Sequence, residues 1–189
     1  MSLRIYGNRQ LKTLPGHATR PTSSRVRSAV FNIWQGNITD CLWLDVCAGS
    51  GAMSAEALGR GAKSVTCIEQ SSRACEIIRQ NLQIVVKNQT FKVLQGDAAQ
   101  RLKTLAGQQF DLIYFDPPYA SNLYQPVLEA IASNKLLNFD GELAVEHSPK
   151  FELPQITALE ICRQKVYGHT AVTFYCPSKP EGQYLALQS

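Results

Sequence analysis

The chain has 189 residues, of which 44% are hydrophobic and 18% charged, and a net charge of +4. That length supports one hydrophobic core and a single domain spanning 1–189, and the composition is that of a globular protein rather than a disordered or fibrous one. No apolar run approaches the roughly 20 residues that a bilayer-spanning helix needs, and the first residues lack an apolar signal core, so the expected setting is the cytoplasm and not a membrane.

The charge is unevenly placed. Residues 1–39 hold Arg4, Arg9, Lys12, Arg20, Arg25 and Arg27 and no acid, which leaves 40–189 with a balance of −2. A basic N-terminal extension on a slightly acidic body suits a polyanionic partner, although an ordinary solvated basic face has the same composition. Within the extension, residues 3–6 and 10–14 bracket Gly7-Asn8 and predict a small hairpin. Pro15-Gly16 ends it. Thr22-Ser23-Ser24 then offers caps to an amphipathic helix that carries Val26, Val30 and Phe31 on one side.

From there strands and helices alternate. The largely apolar stretch 41–47 reads as a buried strand, Gly49-Ser50-Gly51 as a tight turn, and 52–58 as a helix. Residues 64–68 form a β-branched run ending at Glu69, followed by a helix over 73–85. Residues 91–94 form another run, ending at Gly96-Asp97-Ala98, with a short helix over 98–105. The apolar strand 110–115 must stop at Asp116-Pro117-Pro118-Tyr119, because two prolines cannot continue a ladder. A helix over 125–133 and a fifth strand over 141–146 follow. Residues 159–167 and 170–176 flank Gly168-His169 as a closing hairpin. This alternation predicts a mostly parallel, doubly wound sheet.

Four of these strands carry an acid at or just past the carboxyl end: Asp45, Glu69, Asp97 and Asp116. In an open α/β sheet, ligands sit at those ends. The glycine turn is not a phosphate loop, since no Lys-Ser or Lys-Thr pair follows it. Neither does it complete G-x-G-x-x-G, because the third position falls on Ser54. The glycines would let a ligand approach the backbone, and a preceding carboxylate favours a cationic ligand over a pyrophosphate. Glu69 stands 18 positions beyond Gly51, the spacing at which an acid accepts hydrogen bonds from ribose hydroxyls. Asp97 fits a helix cap and a ligand contact equally well. A nucleoside that carries a sulfonium and an amino acid tail, S-adenosylmethionine, meets these requirements together.

Asp116-Pro117-Pro118-Tyr119 places a carboxylate, a carbonyl and an aromatic face at one strand end, which suits a flat, amino-bearing base. The same four residues also make an ordinary strand-ending turn. Tyr124 reads either as a second stacking ring or as packing, and His147 as a bystander. The six cysteines form no C-x-x-C pair. With only three histidines, zinc is not expected, and the cysteines read as free thiols in a reducing compartment.

The sequence resembles the class I S-adenosylmethionine-dependent methyltransferases that act on amino groups. More narrowly, it is similar to the RsmD family, the bacterial guanine-N2 methyltransferases of small-subunit (16S) ribosomal RNA. The resemblance rests on Thr19-Arg20-Pro21-Thr22, on 25–32, on Asp45 through Gly51 with 56–62, and on Asp116-Pro117-Pro118-Tyr119. Cys47, Met53 and Ser54 depart from that pattern, where an aromatic, Leu and Gly are common. The resemblance implies a Rossmann-like α/β fold with a seven-stranded, mostly parallel sheet, helices on both faces and a C-terminal antiparallel hairpin.

It implies Asp116, Pro117, Pro118 and Tyr119 as catalytic residues. Asp45, Ala48, Gly49, Ser50, Gly51, Glu69, Asp97, Ala98 and Thr22 become the cofactor site. Arg9, Arg20, Arg25 and Arg27 become contacts to RNA phosphates. The implied partner is ribosomal RNA or an assembling small subunit, bound by a monomer without a metal. An adenine-N6 or protein-glutamine methyltransferase, and a non-catalytic RNA-binding protein with a retained cofactor pocket, are the alternatives.

Overall fold

The computed structural model describes residues 3–14, 23–119 and 121–178. Strands β1 (Leu3–Ile5) and β2 (Arg9–Leu11) pair antiparallel around a one-turn 3-10 segment at Tyr6–Asn8. Helix α1 (Ser24–Ile33) starts where the Ser23 hydroxyl accepts the Val26 N–H at 3.2 Å. The βα alternation then runs β3 (Leu42–Val46), α2 (Ala52–Gly59), β4 (Ser64–Glu69), α3 (Ser72–Val85), β5 (Thr90–Gln95), α4 (Ala98–Lys103), β6 (Phe110–Phe115) and α5 (Tyr124–Ser133). It closes with β7 (Leu137–His147), β8 (Leu159–Tyr167) and β9 (Thr170–Pro177). Among the described residues no helix is long and apolar enough to cross a membrane.

The main sheet has seven strands in the order β5-β4-β3-β6-β7-β9-β8. The first five are parallel; β9 enters antiparallel between β7 and β8. Because side chains alternate across a strand, β3 feeds two cores. Trp43 joins Phe31, Trp34, Leu58 and Ile78 on the face of α1, α2 and α3. Leu44 and Val46 join Leu102, Val127 and Ile131 on the face of α4 and α5. The sheet is therefore covered on both sides, which is what apolar parallel strands require.

Two strand-level expectations change. β7 begins at Leu137, four residues before the Gly141 signal. The ladder with β6 shifts between Phe110 and Leu112, and at Gly141 a Cβ would lie 2.8 Å from the Asp111 carbonyl oxygen. The strand therefore passes through a position that only a residue without a side chain fills. The reading of six free thiols also needs correction. Cys162 is the extra residue where the β8–β9 register shifts, and it is joined to Cys176 by a disulfide; Cys41, Cys47, Cys67 and Cys75 are thiols. The two partners lie on neighbouring antiparallel strands with Cα atoms 6.0 Å apart, within bridging reach.

The N-terminal hairpin is tied to the body through one carboxylate. Glu56 of α2 accepts the Tyr6 N–H at 3.1 Å, lies 3.4 Å from the Arg27 guanidinium and pairs with Arg60 at 2.8 Å. Arg27 also donates to the Arg4 carbonyl at 2.7 Å. Only 5% of Arg27 is exposed, so it cannot be a phosphate contact: burial and pairing commit it to holding the hairpin on α1 and α2. Glu56→Ala would strand a buried guanidinium, and the expected loss is about 3–5 kcal/mol of unfolding free energy. Urea titrations of variant and wild type measure it, and a midpoint unchanged from wild type would contradict this anchoring role.

Candidate active site

Strand register brings the sequence-predicted residues together. Val46 pairs with Ile68 on one side and Phe115 on the other. Cys47, Glu69 and Asp116 therefore leave β3, β4 and β6 at one level. Glu69 pairs in turn with Gln95, two residues before Asp97. On the far side Phe115 pairs with Val145, so Glu146 follows next to Asp116. The chain runs outward from β3 to β5 and then returns to place β6 on the other side of β3. The gap between β3 and β6 is thus the topological switch point, where doubly wound sheets bind ligands.

The turn after β3 is tightly held. The Cys47 and Ala48 N–H groups both donate to the Ile68 carbonyl, at 3.0 and 3.1 Å, and Gly51 N–H donates to the Ala48 carbonyl at 2.7 Å. Cys47, Gly49 and Gly51 all have positive φ, at 65°, 57° and 72°. A non-glycine residue in that region carries strain, which clusters at functional sites. At Gly51 a Cβ would come within 3.2 Å of Ile78, whereas at Gly49 it would meet nothing within 4 Å. Positive φ calls for glycine at both positions; Gly51 also packs closely on Ile78 of α3, while the Gly49 backbone faces open space. Glu69 spans the turn: one carboxylate oxygen accepts the Gly49 N–H and the other the Ser71 N–H, both at 2.9 Å.

Asp45 stands at the carboxyl end of β3, next to its last residue, but its side chain turns away from the ligand end. It lies inside β3 on the α2 face and is 2% exposed. Its carboxylate accepts the Ser54 hydroxyl at 2.6 Å and the Ser54 backbone N–H. Gly51 gives α2 no side-chain cap; Asp45 supplies one from the strand below, satisfying an N–H of the first turn. Ser54, a departure from the family pattern, is the partner that makes this possible. Asp97 is a true cap: it accepts the Gln100 N–H at 2.9 Å at the start of α4, with Ala98 buried behind it.

Past β6, the Asp116 N–H donates to the Val46 carbonyl at 3.3 Å, which fastens the motif to β3. Pro117 is buried and Pro118 exposed. The Tyr119 ring is 37% exposed, but its hydroxyl donates to Glu146 Oε1 at 3.1 Å and pairs with Thr170 Oγ1 at 2.8 Å. Tyr124 proves to be packing. It is 2% exposed, lies between Phe115 and Phe151, and donates to the Glu146 carbonyl. Glu146 was not singled out from the sequence, although it continues the same pattern, an acid at a strand's carboxyl end. Of the predicted phosphate contacts, Arg25 is exposed and Arg9 half-buried, while Arg20 and Thr22 lie outside the described residues.

The site is strongly electronegative. Burial pushes the Cys47 thiol up, and Glu69, Asp116, Asp45 and Asp97 all push it further in that order. All four acids foreseen from the sequence thus lie near enough to this thiol to raise it. Tyr119 is pushed up to about 12, first by burial, with Glu146 and Asp116 adding to it and the Thr170 hydrogen bond opposing them. A cluster of carboxylates beside an open glycine backbone fits a ligand that carries positive charge and ribose hydroxyls. Among the described residues, no group of three or more His, Cys, Asp or Glu could hold a metal ion.

The seven-stranded sheet, the glycine turn and Asp116-Pro117-Pro118-Tyr119 at the switch point together define a class I methyltransferase, whose cofactor is S-adenosylmethionine. The chain belongs to the family described as Conserved hypothetical protein 95, which it matches over residues 3–176, and it is RsmD-like. It is 30% identical over 178 residues to the ribosomal RNA small subunit methyltransferase D of Escherichia coli strain K12, covering 92% of this chain and 89% of that one. The Haemophilus influenzae protein of the same name is 31% identical over 173 residues, covering 90% of each. The solved structure of Escherichia coli yhhF superposes with a TM-score of 0.81 at 29% identity, covering 95% of this chain and all of that one.

Burial raises the Asp45 carboxyl from 3.8 to about 7, outweighing the two Ser54 hydrogen bonds that lower it. The folded state therefore holds an extra proton between those values, and this group's contribution to stability falls as pH rises through that window. Asp45→Asn cannot ionise. From about pH 4 to pH 7 its stability relative to wild type should improve by up to about 1.4 kcal/mol per pH unit, and the difference should level off above pH 7. Urea titrations across the range test this, and a pH-independent difference would show that Asp45 stays ionised throughout.

Proposed function

We propose that this protein transfers a methyl group from S-adenosylmethionine to the exocyclic N2 amine of a guanine in small-subunit ribosomal RNA. The observation that carries the reading is the placement of Asp116-Pro117-Pro118-Tyr119 beside the glycine turn, across the β3–β6 gap. The names of the two relatives support ribosomal RNA as the substrate class. The cytoplasm, where small subunits assemble, is the compartment this reading requires.

The bound cofactor supplies a methyl group already activated on a sulfonium. The protein's task is then to prepare the acceptor. A guanine N2 amine delocalises its lone pair into the ring and is a poor nucleophile. The Asp116 carboxylate and the Pro117 carbonyl accept its two N–H groups, which favours a pyramidal nitrogen with its lone pair free to attack. Tyr119 stacks on the base and holds it in line, where orientation supplies much of the rate. Positive charge develops on the amine as its N–C bond forms and the sulfonium–methyl bond breaks; the preorganised carboxylate stabilises that charge, and the amine then gives up one proton to Asp116 or to water.

On the cofactor side, Glu69 takes the ribose hydroxyls, and Asp97 with Ala98 takes the adenine. The backbone of Ala48, Gly49, Ser50 and Gly51 lines the amino acid end, with Asp45 acting through the turn it supports and Thr22 as a further cofactor contact. Arg9, Arg20 and Arg25 meet phosphates, so binding weakens steeply with salt. A guanine within folded RNA must be unpaired or flipped to enter.

Mass spectrometry of nucleosides from small-subunit RNA, comparing a strain lacking this protein with its parent, tests the reading. One N2-methylguanosine disappears, and wild type restores it. Asp116→Ala does not, with turnover lower by about 10²–10³, or about 2.7–4 kcal/mol of barrier. Loss of an N6-methyladenine or of a methylated glutamine instead would reassign the substrate. No binding of S-adenosylmethionine at all would favour a binding-only protein.

A further inference from the structure

Tyr119 departs from the habit of surface tyrosines. Its ring is partly exposed, yet its hydroxyl is engaged twice. Because it donates to Glu146 Oε1, it accepts from the Thr170 hydroxyl. Glu146 is itself held: its other oxygen accepts the Tyr114 hydroxyl at 2.5 Å, and its carbonyl accepts the Tyr124 hydroxyl at 3.2 Å. Glu146 is 5% exposed and Tyr114 1%. Burying a carboxylate beside Asp116 works against stability, and apolar packing would not call for it.

The participants come from four places. Tyr114 lies in β6 and Tyr119 in the turn that follows; Glu146 lies at the end of β7 and Thr170 at the start of β9. The partners of Tyr119 are 27 and 51 residues away in sequence. The ring is therefore oriented by the rigid sheet and not by its own loop, the arrangement that supporting hydrogen bonds give to a reacting group.

We propose that Glu146 is a positioning residue: with Tyr114 and Thr170 it clamps the Tyr119 hydroxyl and so sets the plane of the ring against the acceptor base. This rests on the reading of Tyr119 as the stacking ring. The clamp leaves cofactor binding alone, because Glu69, Asp97 and the glycine turn lie on the β3–β5 side of the switch point, while Glu146 and Thr170 lie on the β7–β9 side. It acts on the geometry of attack and hence on turnover.

The test uses Tyr119→Phe, Glu146→Gln, Thr170→Val and the Tyr119→Phe/Glu146→Gln double variant of the full chain. Methyl transfer to small-subunit RNA, S-adenosylmethionine binding by calorimetry, and the ring signals of ¹³C-labelled tyrosine are measured on each. Tyr119→Phe and Glu146→Gln should each lower kcat by about 10- to 100-fold, with the Kd for the cofactor changed by less than about twofold. The double variant should fall no lower than the poorer single one, since both changes break one linkage.

Wild-type kcat in Tyr119→Phe, or losses that multiply in the double variant, would overturn the clamp. In Glu146→Gln and Thr170→Val the Tyr119 ring signals should shift and broaden; unchanged signals would overturn it independently of any substrate. If wild type fails to methylate RNA, the proposed function falls, and the ring signals still decide the clamp.

Discussion

Val46, in register with Ile68 on one side and Phe115 on the other in two parallel ladders, is the pairing on which the site depends. Parallel pairing in register means that three strands end at one height. Each then releases its next residue into the same small volume: strained Cys47, Glu69 and Asp116. A slip of one residue in either ladder would turn the side chains to the opposite face and part the glycine turn from Asp116-Pro117-Pro118-Tyr119. Apolar packing on both faces of β3 resists such a slip, because Trp43 belongs to one core and Leu44 and Val46 to the other. Stability of the sheet and geometry of the site are thus one constraint.

The carboxylates share their work. Asp45 caps α2 from within the sheet, Glu69 spans the glycine turn, Asp97 caps α4, and Glu146 holds Tyr119. Each structural bond orients a side chain or loop that the proposed chemistry uses, so the electronegative field is made of groups fixed before a ligand arrives. Such fixed groups need no reorganisation when charge develops. Glu56 shows the same economy on the opposite charge: one carboxylate gathers Arg27, Arg60 and the Tyr6 N–H and fastens the basic extension to the α2 side of the sheet.

Much of this was legible from residue order. Alternating apolar runs and glycine or proline stops predicted the βα succession, and an acid after each of several strands marked the ligand end. The misreadings share one cause. Asp45 looked like a strand-end ligand because its distance from Gly49 is visible in sequence, while its turn towards Ser54 is not. Arg27 looked like a phosphate contact because its charge is visible and its burial against Glu56 is not. Glu146 went unremarked because the hydroxyls it holds, those of Tyr114 and Tyr119, lie 32 and 27 residues away along the chain. The Cys162–Cys176 bridge depended on a bulge in β8 that no spacing rule reveals.

The sequence by itself determined the class of fold, the two motifs and the sign of the field around them, because periodicity, turn chemistry and charge are local properties of the chain. Only the tertiary structure decided which acids face the ligand and which are committed to holding a helix or a ring. That division follows from register and side-chain direction, which arise when strands distant in sequence are paired and each side chain is given a face.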